Sequence, residues 1–351
     1  MCINYARLRV CTYRRGHYCL FLLGGLAGTF EKRMSRDEVP RFFFIPTWAG
    51  EVPPPDKHFK SMGKTMDYYQ AEYLPLVTEF VKNVETNGIH TTGLPEPHLP
   101  TIGKTYEQAK YKFAFFGKDT RGFCNLTKFI ATYHEDPQKT LYMMQDALDE
   151  GKYLSQSWRN RGISFWDIII KFLCKFYHAG NKEEFIKHYK NDDPYYRDIA
   201  SSFVWGNTNS VERFYVTAAK KGGNRADYEK IKGYSRIFDN AYHILKTAQP
   251  NVLVILNWSE RRKWLTEFQD PNDIVKRERV LDEHLEYYYI RSTDTHVFWT
   301  AHPVWFARKR KSFDEIIIRK IIETLREYNV WDSLPTQPSD WCLPAEKSTL
   351  K

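Results

Sequence analysis

The sequence predicts an α/β protein, a three-layer α/β/α sandwich around a central four-stranded parallel sheet. Four short apolar runs have the composition of buried strands, and segments with helical periodicity separate them, which is the pattern of a parallel sheet covered on both faces. The chain has 351 residues, 42% of them hydrophobic and 27% charged, and is long enough to bury a substantial core. The four predicted strands are Lys112–Phe116, Ser202–Trp205, Asn251–Leu256 and Thr295–Thr300.

Helical periodicity is clear on either side of these strands. The segment Tyr68–Val84 spaces its apolar residues at helical intervals and ends before Gly88. Near the C-terminus, Ser312 and Glu315 have the spacing of a capping box and precede an isoleucine-rich run, so a helix is predicted to begin at Ser312. The other predicted helices are Leu126–Tyr133, Lys139–Glu150, Ser164–Tyr177 and Tyr228–Lys246.

Proline-rich segments divide the chain into three parts. One such segment is Pro53–Pro55, and a second follows Trp331. They separate an N-terminal extension, a central α/β/α domain and an irregular C-terminal tail. The predicted boundaries are residues 1–60 for the extension, 61–331 for the domain and 332–351 for the tail.

The extension carries an apolar run, Tyr18–Phe30, after two arginines, in the manner of a signal peptide. This run is too short to span a bilayer as a helix, and no small-residue cleavage site follows it. We interpret the extension as the product of a start codon placed upstream, with Met34 or Met62 as alternatives. The six cysteines form no C-x-x-C pair and no Cys/His group with metal-ligand spacing. We therefore predict a cytoplasmic protein with reduced thiols that needs no metal or other cofactor.

The charge and aromatic content point to one class of partner. Lys and Arg number 52 against 43 Asp and Glu, and aromatic residues make up 16% of the chain. Basic side chains bind phosphates and aromatic rings stack on bases, so the composition is compatible with binding to nucleic acid. A generally basic enzyme of another kind would have the same composition. The motifs must separate these two interpretations.

Each predicted strand ends at a polar residue: Asp119, Asn207, Asn257 or Ser259, and His302. No glycine-rich cofactor or P-loop motif and no G-x-S-x-G nucleophile motif is present. Asp can orient or deprotonate a water, Asn can read the edge of a nucleobase, and His can stabilise an anion that develops on a leaving group. This set fits hydrolysis with a nucleobase as the leaving group. For Asp119, capping of the following helix is the alternative.

The order of three short motifs resembles the uracil-DNA glycosylase superfamily. The motifs here are Gly117–Gly122 (GKDTRG), Phe203–Asn207 (FVWGN) and His302–Phe306 (HPVWF). Their counterparts in the family are Gly-Gln-Asp-Pro-Tyr-His after the first strand, a strand that ends in a base-reading Asn, and a late His-Pro-Ser-Pro-Leu. The first motif is most similar to the Gly-Gln-Glu-Thr-Asn-Gly-Trp of divergent bacterial members, and the resemblance covers Tyr111–Glu327.

This resemblance implies a monofunctional DNA glycosylase. Asp119 corresponds to the residue that positions the attacking water, Asn207 to the one that binds the extruded base, and His302 to the one that stabilises the departing base. The base would be flipped out of DNA to reach them. Phe123, which follows the first motif, is a candidate to stack on the base, with packing in the core as the alternative.

The resemblance also implies a DNA-contacting segment after His302. Trp305 and Phe306 occupy the place of the family's apolar wedge, which fills the gap left by a flipped base. Arg308 and Lys309 begin a run of four basic residues that could bind phosphates. A basic run of this length is also common on a solvated surface. DNA is thus the predicted partner of a monomer that needs no protein partner.

Departures from the family pattern concern the substrate. The family's pyrimidine-crowding Tyr is missing from the first motif, where Arg121 and Gly122 stand instead, and Lys118 precedes the Asp. We therefore expect room for a 5-modified pyrimidine, such as the hypermodified bases of phage DNA, and a role in anti-phage defence. Uracil remains the alternative substrate. Two further alternatives are a non-catalytic DNA-binding protein on the same scaffold and a hydrolase of free nucleosides or nucleotides.

Overall fold

The computed structural model describes residues 10–12, 18–20, 64–119, 125–257, 273–281, 284–304 and 313–342. The chain divides into two units, Met1–Asp56 and Lys57–Lys351. In the first, the strands β1 (Val10–Thr12) and β2 (Tyr18–Leu20) form an antiparallel pair. All the other described strands and helices belong to the second unit.

The second unit is a mixed α/β structure built on a mixed seven-stranded sheet. Its strands are β3 (Thr101–Ile102), β4 (Phe113–Gly117), β5 (Phe203–Asn207), β6 (Val252–Leu256), β7 (Ile274–Leu281), β8 (Leu285–Ile290) and β9 (Thr295–Thr300). Across the sheet the order is β3-β5-β4-β6-β9-β8-β7. The four predicted strands correspond to β5, β4, β6 and β9, and these are mutually parallel.

The predicted sheet was too small, because three antiparallel strands flank its parallel part. β3 pairs with β5, while β8 pairs with β9 and β7 with β8. β3 has only two residues, too few for a pattern to appear. β7 reads IVKRERVL, with charges that hide its strand character, and it lies at the edge of the sheet. The βαβ pattern that predicted the parallel strands does not extend to antiparallel additions of this kind.

Eleven helices are described. They are α1 (Lys64–Thr86), α2 (Leu126–Glu135), α3 (Gln145–Asp149), α4 (Gln156–Phe176), α5 (Lys182–Lys190), α6 (Pro194–Ala200), α7 (Val216–Lys220), α8 (Arg225–Ile231), α9 (Tyr234–Phe238), α10 (Asn240–Thr247) and α11 (Phe313–Glu327).

Helices pack against both faces of the sheet, and alternate residues of β4 show how. Phe113 and Phe115 point to one face, where they meet α4: the Phe113 and Phe176 rings lie 4.8 Å apart and the Phe115 and Phe172 rings 5.3 Å apart. Residues of α11 belong to the same apolar cluster. Ala114 and Phe116 point to the other face and join the cluster that includes α1, α9 and α10. Burial on both faces explains why the parallel strands are continuously apolar.

Several predicted helix boundaries were wrong. The expected helix Lys139–Glu150 is a 3₁₀ helix, Pro137–Tyr142, followed by the short α3. The expected helix Tyr228–Lys246 is divided into α8, α9 and α10, and Asp239 has φ +25° between the last two. Periodicity does not detect such breaks, since the apolar spacing continues through them. α4 begins at Gln156, eight residues before the predicted Ser164. The predicted cap at Ser312 lies outside the described residues.

The segment after Trp331 is mostly irregular up to Cys342, where its described part ends. It contains one 3₁₀ helix, Pro338–Trp341. Trp341 is buried in the same apolar cluster as Phe113, and the backbone N–H of Lys110 donates to its carbonyl oxygen at 3.0 Å. This segment therefore packs on the sheet domain.

Close packing between β4 and β5 gives a stability prediction. Phe116 is the register partner of Gly206, and a Cβ at Gly206 would lie 2.5 Å from Phe116 Cε1. Phe116 is fully buried, so its ring has no free space to enter. We expect Gly206→Ala to lower the free energy of unfolding by about 1–3 kcal/mol, measured as the midpoint of urea unfolding.

The matched control for this substitution is Gly233→Ala. Gly233 has helical angles (φ −62°, ψ −26°), and nothing lies within 4 Å of a Cβ built there. The control should leave the free energy of unfolding unchanged or raise it by up to about 1 kcal/mol. Equal midpoints for the two variants would contradict the packing described for Phe116 and Gly206.

Candidate functional site

The site is defined by a reversal of strand order. From β4 the chain moves to β5 on one side, and then returns to β6 on the opposite side of β4. In open α/β sheets, ligands bind outside the carboxyl ends of the strands at such a switch point. The described polar residues at these strand ends are here called the strand-end site, and they are Lys118, Asp119, Asn207, Asn257 and His302.

Asn207 lies directly beside the end of β4. Its residue partner across the parallel pair is Gly117, and a Cβ at Gly117 would lie 2.7 Å from Asn207 Oδ1 and 3.2 Å from Phe165 Cε2. Only glycine therefore lets the Asn207 amide and the Phe165 ring approach the strand end this closely. Asn207 is 4% exposed, so its amide is held in a buried position.

Buried polar groups support Asn207 from behind. Asn240, at the start of α10, donates from Nδ2 to the carbonyl oxygens of Asn207 at 3.1 Å and His98 at 2.7 Å. The His98 ring packs on Trp205 with 4.7 Å between ring centroids. Burial lowers the pKa of His98 to about 4, so this ring is neutral at pH 7. The two side chains that support Asn207, Asn240 and His98, are thus buried and neutral.

The turns after β4 and β5 are bonded to each other. The backbone N–H groups of Thr208 and Asn209 donate to the carbonyl oxygens of Gly117 at 3.0 Å and Lys118 at 2.9 Å. Asn257 follows β6, on the other side of β4, and its Nδ2 donates to Thr208 Oγ1. The Asn257 side chain therefore reaches across the end of β4. Three strand ends are joined into one polar surface in this way.

Asp119 is partly exposed at this surface. Its Oδ2 accepts a hydrogen bond from the Tyr215 hydroxyl at 2.8 Å, the only donor to this carboxylate among the described residues. The next described helix, α2, begins at Leu126 with Asn125 in the N-cap position. Asp119 is therefore not the cap of α2, which was the alternative interpretation. Its carboxylate is oriented by Tyr215 and is partly exposed among the described residues.

Lys118 adds positive charge next to Asp119. Partial burial lowers the pKa of Lys118, the charge of Arg213 lowers it further, and the charge of Asp119 opposes both effects. Two cations and one carboxylate thus lie together at the exposed edge of the site. Such an arrangement favours an anionic or polar ligand group.

His302 follows β9 and is partly buried. Its Nδ1 accepts a hydrogen bond from the backbone N–H of Val304 at 3.3 Å. A neutral His302 ring in this arrangement carries its hydrogen on Nε2, which is then a donor. Because β6 lies between β4 and β9, strand spacing separates His302 from the end of β4 by about 10 Å.

The remaining predicted site residues lie outside the described residues. They are Arg121, Phe123, Trp305, Phe306, Arg308 and Lys309, together with the strand-end alternative Ser259. Sequence reasoning missed Thr208, Tyr215 and Asn240, which bind or orient the predicted residues. No motif contains Tyr215 or Asn240, because each reaches the site from a separate loop or helix. Thr208 directly follows Asn207, and only its position could have indicated its role.

The described part of the chain holds neither a group of metal-ligating side chains nor a helix that could span a membrane. There, no three His, Cys, Asp or Glu side chains come together in a group that could hold a metal ion. None of the described helices has the length and apolar composition to cross a membrane. No protein-family model matches the chain, and no curated protein matches it. The function must therefore be inferred from the site.

The buried His98 gives a pH prediction. The unfolded chain takes up a proton near pH 6.5, but folded His98 does so only near pH 4, so protonation favours the unfolded chain as pH falls through this range. We expect about 3 kcal/mol of the free energy of unfolding to be lost at His98 between pH 7 and pH 4, and to be fully present above pH 6.5. Urea unfolding at each pH measures it.

The variant His98→Gln should show a smaller loss of stability over the same pH range than the wild type. The pKa of His296 is also lowered to about 4 by burial, so part of the dependence should persist. The control is His134→Gln, since His134 is exposed and pairs with Glu85 at the surface. A wild-type pH dependence in His98→Gln would show that His98 is not held neutral by burial.

Proposed function

We propose that this chain is a DNA glycosylase, built on a three-layer α/β/α scaffold, which hydrolyses the N-glycosidic bond of a flipped-out pyrimidine and leaves an abasic site. One observation carries the proposal: Asp119, Asn207 and His302 lie at the carboxyl ends of three parallel strands of one sheet, at and beside its switch point. These three residues are also the ones that the motif resemblance selects. Agreement between sheet geometry and motif order supports a common site.

In the proposed reaction Asp119 orients the attacking water. Tyr215 occupies one carboxylate oxygen and fixes its direction, which leaves the carboxylate able to hold a water. A positioned general base contributes about 10²–10⁴-fold to a rate. The negative charge of Asp119 also stabilises the oxocarbenium character that develops on the sugar as the glycosidic bond breaks.

Asn207 and His302 act on the base. The buried amide of Asn207 can hydrogen-bond the edge of the extruded pyrimidine, where water does not compete. His302 donates from Nε2 to the negative charge that develops on the base as it leaves. A donor of this kind is worth about 10²–10³-fold in rate. The attacking water gives up a proton to Asp119, from which it passes to solvent, and the departing base anion takes up a proton from water.

The charge at the edge of the site bears on the substrate. Lys118 and Arg213 lie beside Asp119, where the phosphates next to a flipped nucleotide or a polar substituent on its base would come. We propose a 5-modified pyrimidine, of the kind that phages carry, as the favoured substrate, with uracil as the alternative. Anti-phage defence is the role that fits such a substrate.

The proposal predicts that Asp119→Asn and His302→Ala lose abasic-site formation but still bind DNA. DNA strands with uracil, with mismatched thymine or with hypermodified cytosine are incubated with each protein, and abasic sites are cleaved with alkali. We expect initial rates to fall about 10²–10⁴-fold for Asp119→Asn and about 10²–10³-fold for His302→Ala. Asp332→Asn and His134→Ala, at exposed positions elsewhere, serve as matched controls.

Two outcomes would replace the proposal, and a third would change only its substrate. A wild-type protein that binds DNA but forms no abasic site on any substrate is a DNA-binding protein. Release of bases from free nucleosides at a rate indifferent to salt indicates a nucleoside hydrolase, since binding to DNA weakens steeply with salt. Efficient release of uracil with no action on 5-modified pyrimidines would refute the expected room for a 5-substituent on the base. The glycosylase activity itself would still stand.

Tyr215→Phe tests the orientation of Asp119. The variant removes only the hydroxyl that donates to the carboxylate, so we expect kcat to fall about 10-fold, the effect of losing one hydrogen bond of about 1.4 kcal/mol, with KM unchanged. Tyr195→Phe, at an exposed tyrosine, is the control. A rise in KM at constant kcat would mean that Tyr215 contacts the substrate and does not act through Asp119.

A further inference from the structure

Buried polar atoms without a hydrogen-bond partner gather around the ends of β5 and β6. In the described part of the chain these are Asn207 Nδ2, Ser210 Oγ, Asn240 Oδ1 and Asn257 Oδ1. Each such atom costs about 1–3 kcal/mol relative to a paired one. Native proteins keep few of them, and a group of them marks a place where a ligand or an ordered water supplies the missing bonds.

The orientation of the Asn257 amide is fixed by its neighbours. The Thr208 hydroxyl has one hydrogen, and it donates this to the carbonyl oxygen of Gly117 at 3.3 Å. Thr208 Oγ1 must then accept from Asn257, which assigns the NH₂ group of the amide to that side. Asn257 is 1% exposed. Its Oδ1 is therefore a buried acceptor of fixed direction that lacks a donor.

The unpaired atom of Asn207 has the opposite character. Asn207 Nδ2 is a donor, and it lies on β5, on the other side of β4 from Asn257. A ligand that satisfies both must present an acceptor to Asn207 and an N–H donor to Asn257. The polar edge of a pyrimidine does so: uracil has O4 beside N3–H, and cytosine has N3 beside its N4 amino group.

We propose that Asn257 is a second base-reading residue, whose Oδ1 accepts a hydrogen bond from an N–H of the pyrimidine while Asn207 donates to the neighbouring acceptor. The identity of the ligand as a base rests on the proposed function. The inference adds a substrate class, pyrimidines in which a free N–H stands next to a hydrogen-bond acceptor. A site built around such bonds rejects an analogue that cannot make them, because its own polar groups stay unpaired.

Binding of free bases tests this without the glycosylase reaction. Uracil and 3-methyluracil, which lacks the N3–H, are titrated against the full chain and binding is followed by NMR. We expect the wild type to prefer uracil by about 10-fold or more, the discrimination of one good hydrogen-bonded pair. Asn257→Ala should bind uracil about 10-fold more weakly and lose the preference.

Asn257→Asp keeps an acceptor at this position and should retain the preference for uracil. Asn191→Ala, an exposed asparagine, is the matched control for asparagine removal and should behave as the wild type. If Asn257→Ala does not fold, the wild type still decides, since equal binding of uracil and 3-methyluracil overturns the proposal. A preference that persists in folded Asn257→Ala overturns the proposal too. In that case the Oδ1 atom of Asn257 in the wild type pairs with an internal water and not with the base.

The outcomes separate this inference from the proposed function. Base binding that depends on Asn257, in a protein that forms no abasic sites, supports Asn257 as a second base-reading residue. The same result refutes the proposed glycosylase activity. Abasic-site formation with unaltered base preference in Asn257→Ala leaves the glycosylase and removes Asn257 from base recognition.

Discussion

The close approach of Asn207 to Gly117 is the contact on which the strand-end site depends. Parallel pairing of β5 with β4 brings these two residues into register, and the absence of a Cβ at Gly117 leaves space for the amide. Thr208 and Asn209 then continue the bonding between the two strands beyond the sheet, into the turns. This backbone pairing fixes the position of Lys118 and the point at which the chain continues into Asp119. A shift in register would separate the amide from the carboxylate.

The apolar core holds this register in place. A slip of one residue in β4 would exchange Phe115 and Phe116 between the two faces of the sheet, and each face is filled by a different set of helices. Gly206 adds a second restraint, since its lack of a side chain accommodates the ring of Phe116. The same residues that stabilise the sheet therefore align its carboxyl edge. Rigid placement of this kind is what a catalytic site requires.

Sequence reasoning predicted the structure correctly where a single strand contained the whole sequence pattern. β4, β6 and β9 are apolar runs, and polar residues come shortly after each of them in the sequence. Asp119 and His302 are two of these polar residues. It failed where the structure depends on contacts between distant segments. The hydrogen bond from Tyr215 to Asp119 joins residues that are 96 positions apart in the sequence, and no local pattern predicts such a bond. The antiparallel strands and the divided α8–α10 region depend in the same way on tertiary contacts, which override local periodicity.

The charge distribution over the site supports a ligand with two different parts. The buried residues Asn207, Asn257 and His98, here called the floor of the site, are neutral. Asn207 and Asn257 are amides, and His98 is uncharged because its pKa is lowered. The charged groups, Lys118 and Asp119, are at the more exposed edge. A buried charge without a partner would cost far more than an unpaired amide, so the floor suits a neutral, hydrogen-bonding group. The edge suits a polyanion and a transient positive charge. The nucleobase and the sugar–phosphate chain of the proposed substrate combine these parts, whereas a free anion or an apolar ligand would leave one half of the site unmatched.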